Sequence, residues 1–91
     1  MGLVFLNKVE QTILEHIEDE NFGVTELAFE LSLSKSQLLR KIKSASGKTI
    51  SEFIKEVRLK EAYKLLTETE FTASEISYRV GFGSPSYFNK C

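Results

Sequence analysis

Tryptophan is absent from this 91-residue chain, and cysteine, proline, methionine and histidine each occur once. The single thiol, Cys91, cannot close an internal disulfide, and no second ligand near it completes a zinc site. A disulfide scaffold is therefore excluded, a reducing compartment fits, and the expected location is cytoplasmic. Cys91 reads as an incidental thiol. No apolar run nears the roughly 20 residues that a membrane span needs. The start Met1-Gly2-Leu3-Val4-Phe5-Leu6 lacks the basic lead of a secretory signal, and Leu6 stands where a myristoylation motif has Ser or Thr. His16 sits among Ile13, Glu15, Ile17 and Glu18 with no nucleophile at recognisable spacing, so it reads as an interfacial helix residue. Glu18-Asp19-Glu20 reads as a solvated acidic run on consecutive helical positions, which do not converge on a cation. No catalytic residue, metal or cofactor is expected, and the chain is not read as an enzyme.

What is present points elsewhere. Hydrophobic residues make up 42 % and charged residues 27 %, and seven Phe with three Tyr argue against disorder. The length suits one domain with little room for a deep catalytic pocket. The net charge of −1 conceals an uneven distribution. Residues 1–31 carry Lys8 against seven acids, a net −6. Residues 32–66 carry nine Lys or Arg against three Glu, a net +6, and residues 67–91 carry −1. A basic middle beside an acidic start implies one positive face, and the local field matters more than net charge for binding phosphates.

Helical periodicity dominates and strand alternation is nearly absent. A first helix fits Val4 to about Ile17, with Leu6, Val9, Ile13, Leu14 and Ile17 inward. A second fits Val24 to Leu31, followed by the tight turn Ser32-Leu33-Ser34. A third starts after the capping box Ser34-Lys35-Ser36-Gln37, runs to about Ala45 with Leu38, Ile42 and Ala45 inward, and stops at Gly47. A fourth opens with the box Thr49-Ile50-Ser51-Glu52 and runs to about Leu66, with Phe53, Ile54, Val57, Ala62, Leu65 and Leu66 as its buried stripe. A fifth opens with Thr72-Ala73-Ser74-Glu75 and ends near Val80. A sixth opens with Ser84-Pro85.

The informative feature is an internal near-repeat. Leu27-Ala28, Leu31, Ser34 and Leu38 correspond to Ile76-Ser77, Val80, Ser84 and Phe88, with one extra residue in the second turn, Gly81-Phe82-Gly83. Each copy reads as short helix, tight turn, capped second helix. That is the helix-turn-helix pattern, whose second helix enters the major groove of double-stranded DNA. The fold expected is all-α: a first helix-turn-helix subdomain over residues 1–48, a linker helix over 49–66, and an incomplete second subdomain over 67–91. Base-facing positions are Ser36, Gln37, Leu39 and Arg40 in the first unit and Ser86, Asn89 and Lys90 in the second. Arg suits guanine, Asn suits adenine, and Leu39 suits a thymine methyl. Ser34, Lys35, Lys43 and Ser84 are the expected phosphate contacts. The alternative is a helical interaction or oligomerisation module with an incidental basic face. A salt-dependent DNA-binding assay separates the two.

The order of elements resembles the DNA-binding domain of AraC/XylS-type transcription regulators. The resemblance is carried by Leu27-Ala28 through Leu38-x-Arg40-x-Ile42-Lys43, then by Phe53-Ile54-x-x-Val57-Arg58-Leu59-x-x-Ala62-x-x-Leu65-Leu66. Glu75-Ile76-x-x-x-Val80-Gly81-Phe82 and Ser86-Tyr87-Phe88 complete it. Ser77 departs from the small Ala usual after the Ile. The resemblance implies double-stranded DNA as partner. It also implies an effector-binding, dimerisation or signalling domain elsewhere in the full regulator, and RNA polymerase as a further candidate partner. It further implies a second recognition helix that continues past Cys91, so the last ten or so residues are expected to be mobile or to pack on another copy, and DNA binding to be weaker than with those residues added.

Overall fold

The computed structural model describes residues 2–81. Among them are five helices and no strand: α1 (Gly2–Glu15), α2 (Val24–Glu30), α3 (Lys35–Ser46), α4 (Ile50–Glu68) and α5 (Ala73–Arg79). Helix α1 begins two residues earlier than periodicity predicts and ends before Ile17. The expected sixth helix, with Ser84, Ser86, Asn89 and Lys90, lies outside the described residues.

The boundaries follow from local chemistry. Ser34, Thr49 and Thr72 each accept the N–H of the third helical residue, and Gln37, Glu52 and Glu75 reach back to the N–H of the cap. Gly23 has no side chain to offer, so α2 keeps only the second half of this exchange, from Gly23 N to Glu26 Oε1 at 2.9 Å. Helix α3 ends where Gly47 turns left-handed at φ 75°.

The caps make a pH prediction. Hydrogen bonds donated to the Glu52 and Glu75 carboxylates by Thr49 and Thr72, first from the backbone N–H and then from the side chain, hold these carboxyls below the usual carboxylate range. A depressed folded pKa stabilises above the unfolded value and is lost as pH falls through the folded one. The first turns of α4 and α5 should therefore fray as pH drops below the usual carboxylate range. Amide protection factors at Glu52 and Glu75, corrected for the intrinsic pH dependence of exchange, that are unchanged between neutral pH and about pH 3 would contradict this.

Two small cores result. Val9, Ile13, Phe22, Leu27, Leu38, Ile42, Ile54 and Val57 form the first, between α1, α2, α3 and the start of α4. Ala62, Ile76 and Val80 form the second, with Leu65 and Phe71 packed against it. Ile17 touches both, so the segment after α1 is the seam between the units. Leu66, expected in the buried stripe of α4, is 49 % exposed. The second core is entered by Ala62 and Leu65, and Leu66 lies one step past that face.

The near-repeat is exact in its first half. Helices α2 and α5 are both seven residues long, and their caps, Gly23 and Thr72, stand 49 residues apart, as do Glu26 and Glu75. Leu31 N bonds Leu27 O as Val80 N bonds Ile76 O, and Ser32 N bonds Phe29 O as Gly81 N bonds Tyr78 O. Ser32 and Gly81, at the same offset, both turn left-handed, at φ 57° and 81°. A serine at that angle costs roughly 1–2 kcal/mol.

Candidate nucleic-acid interface

Helix α3 presents the candidate surface. Leu38 and Ile42 are fully buried, which turns Ser36, Arg40 and Lys43 onto the opposite side as one ridge at four- and three-residue steps. Leu39 flanks that ridge, 46 % exposed. An exposed apolar side chain beside cations suits a thymine methyl better than water. Lys35 is exposed at the first turn, where the N–H groups of Lys35 and Ser36 have no intrahelical acceptor. Such a turn attracts phosphate.

Three expected contacts have internal partners. Gln37 bends its carboxamide oxygen back to Ser34 N at 3.0 Å, and Ser34 Oγ accepts Gln37 N at 3.1 Å, so both side chains first serve the cap. Lys43 Nζ donates to Gly47 O at 3.2 Å, across the C-terminal turn of α3. Its ammonium still has two further donors.

Two open grooves border the ridge. One, of about 690 Å³, separates the start of α1 from α3 and is lined by Gly2, Phe5, Gln37, Arg40, Lys41, Ser44 and Ala45. Lys41 Nζ sits 5.4 Å from the Phe5 ring centre, a cation held over an aromatic face. The other, of about 310 Å³, lies between the starts of α3 and α4, beside Lys35, Ser36, Leu39, Thr49 and Ser51.

The positive middle is smaller at the surface than in the sequence. Lys48 pairs with Glu56, and Lys60 with Glu10 at 3.1 Å. Arg58, counted among the basic residues, is buried. It donates to the carbonyls of Ile17, Asp19, Phe22 and Val80. Burial lowers its pKa and nearby Asp19 opposes that shift. Periodicity offered a signal that was missed: Arg58 stands four residues from both Ile54 and Ala62, which are core positions.

The other singled-out residues are structural. His16 lies just past α1, stacks on Phe22 with ring centres 4.4 Å apart, and bonds Glu30 at 3.3 Å. Glu18-Asp19-Glu20 occupies a turn rather than the helix expected of it, with Asp19 Oδ1 accepting Asn21 N at 2.9 Å. The helix stops at Glu15 because the chain must turn there to bring Phe22 into the first core. Ser77 is fully buried and donates to Ser74 O at 2.8 Å, so the hydroxyl in place of Ala is satisfied locally. Among the described residues no cluster of three or more His, Cys, Asp or Glu could hold a metal ion. No helix there is long and apolar enough to cross a membrane.

Comparison with known proteins bears on this surface. Residues 27–91 match a family model described as a helix-turn-helix domain, a DNA-binding rather than an enzyme family. A protein named histidine kinase P4, from Formosa agariphila, is 42 % identical over 86 residues, covering 94 % of this chain and 6 % of that protein. An uncharacterized HTH-type transcriptional regulator in the cgkA 5′ region of Pseudoalteromonas carrageenovora is 36 % identical, covering 90 % of this chain and 50 % of that protein. The chain thus spans half or less of the length of these curated relatives. The C-terminal domain of AraT, a response regulator from Geobacillus stearothermophilus, superposes with a TM-score of 0.81 at 28 % identity, covering 93 % of this chain and 70 % of that one.

Proposed function

From the fact that this chain belongs to the AraC/XylS-type helix-turn-helix family, we propose that it recognises a specific DNA sequence with its two units in successive major grooves. The observation that carries the proposal is the ridge Ser36–Arg40–Lys43 on α3, set beside a duplicated α2 and α5. Arg40 reads guanine through two parallel N–H bonds, Ser36 and Leu39 contact neighbouring base edges, and Lys35 and Lys43 hold phosphates. Ser86, Asn89 and Lys90 do the same for the second unit, with Ser84 as a phosphate contact. Helix α4, about 28 Å long by its 19 residues, separates the units by the order of one DNA turn, roughly 34 Å. The whole protein regulates transcription from the bound site in the cytoplasm, and its further domain supplies an effector, dimerisation or signalling input. RNA polymerase is the candidate partner for activation.

The test is a selection of bound duplexes from a random double-stranded library, followed by titration at several salt concentrations. A shared sequence and a steep fall in affinity with salt support the proposal. Salt-independent or sequence-blind binding removes it and favours a protein-interaction module.

Two substitutions sharpen it. Arg40→Ala should weaken binding to the selected site by about 1–3 kcal/mol and relax base preference at one position. Equal weakening on random DNA would make Arg40 a phosphate contact. Lys43→Ala should weaken all duplexes alike and flatten the salt slope by about one unit. A loss confined to one base pair would contradict that role.

A further inference from the structure

A buried arginine joins the two units. Arg58 sits in the middle of α4 and is 5 % exposed. Its Nη1 donates to Ile17 O at 2.7 Å and Val80 O at 2.5 Å, and its Nη2 to Asp19 O at 3.0 Å and Phe22 O at 3.2 Å. Three of these acceptors belong to the connection between α1 and α2, in the first unit. The fourth closes α5, in the second. None of the ion pairs among the described residues includes Arg58, so its charge is met by carbonyl dipoles and, without direct contact, by the nearby Asp19 carboxylate. Moving either segment would leave a buried charged donor unpaired, which is costly.

The next residue after that fourth acceptor completes the arrangement. At Gly81 a Cβ would stand 1.7 Å from Arg58 Nη1 and 2.4 Å from Ile17 O. Bare backbone is what lets the end of α5 lie against the guanidinium. Among the described residues, Ile17 is the first-unit side chain packed on the Ala62, Ile76 and Val80 core. Helix α4 meets α5 through Ala62 and Leu65, but the chain between them, Thr69, Glu70 and Phe71, is not helical, so Arg58 is what ties that pair to the connection after α1.

We infer that Arg58, seated on the bare backbone of Gly81, is the positioning residue that sets the angle between the two helix-turn-helix units, and through it the base-pair separation of the two DNA segments they accept. This rests on the two-unit reading of DNA proposed above. Lysine cannot replace the arginine here, because one ammonium nitrogen cannot reach four carbonyls spread around a planar fork.

The test uses the 91-residue chain as wild type, Arg58→Lys and Arg58→Gln. The probes are duplexes carrying the two selected half-sites, with their separation stepped by single base pairs around about 10 bp, and a duplex with one half-site. Wild type should lose about tenfold in affinity when the separation is shifted. Arg58→Lys should hold to within about threefold across the series while its affinity for the single half-site stays within about twofold. A second measurement needs no DNA. Nitroxides at Ser44→Cys on α3 and Ser74→Cys on α5, in a Cys91→Ser background, report the distance between the units by pulsed electron resonance. That distribution should broaden in Arg58→Lys at unchanged helix content.

An unchanged separation preference with an unchanged distance distribution overturns the inference. So does an equal loss on single and paired half-sites with the preference intact, which is what a merely structural role would give. Wild type that binds paired half-sites no better than one removes the two-unit reading itself. The nitroxide distances then decide alone whether Arg58 sets the angle.

Discussion

Gly81→Ala is expected to lower stability by about 2–5 kcal/mol, which for a domain of this size is roughly 10–30 °C in Tm. Two costs combine. A left-handed φ of 81° penalises any Cβ by about 1–2 kcal/mol. The new carbon would also fall 1.7 Å from Arg58 Nη1, and the neighbouring Ile17 carbonyl, as backbone, cannot step aside. Ser32 is the internal control. It holds the same place in the first unit and already carries a side chain at φ 57°, and Arg58 makes its four bonds elsewhere. Ser32→Ala should cost under about 1 kcal/mol. Thermal unfolding followed by circular dichroism makes the comparison, and equal effects at the two positions would contradict the account. Adding Arg58→Met to Gly81→Ala should cost less than the sum of the two single changes, by about 1–3 kcal/mol, because the guanidinium's part of the clash is removed while that of the Ile17 carbonyl remains.

Ile42→Ala has the next largest expected effect. Ile42 is fully buried on the core face of α3, opposite the proposed DNA ridge. Removing its outer carbons leaves a cavity costing about 2–5 kcal/mol, out of a total near 5–14 kcal/mol. DNA binding should fall with the folded fraction and recover on cooling. Arg40→Ala, one turn face away, should move stability by no more than about 0.5 kcal/mol while weakening DNA binding. An Ile42→Ala protein that melts with wild type would mean that α3 does not dock by this face. If Arg40→Ala melted early, Arg40 would belong to the fold rather than to the interface.

Much of this domain was legible before any coordinate. Three capping boxes announced α3, α4 and α5, because the bonds that start a helix join residues three apart and need no distant partner. The outward ridge of α3 followed from the inward spacing of Leu38 and Ile42. The duplication followed from matching α2 and α5 residue by residue. Local chemistry and helical period are properties of neighbouring residues, so sequence alone determines them.

What it did not determine depends on groups far apart in the chain. Arg58 read as a positive charge and as part of the stretch that carries the family resemblance, yet its partners are 22 to 41 residues away and are backbone carbonyls, which every residue carries and no composition reveals. Leu66 read as core, but which side of α4 is covered depends on where α5 lies. Gly81 and Ser32 hold equivalent left-handed turns, and the guanidinium and the Ile17 carbonyl packed against Gly81 leave no room there for a side chain. Steric exclusion and the pairing of buried polar groups act between segments that meet only after folding, so the tertiary structure alone decided them.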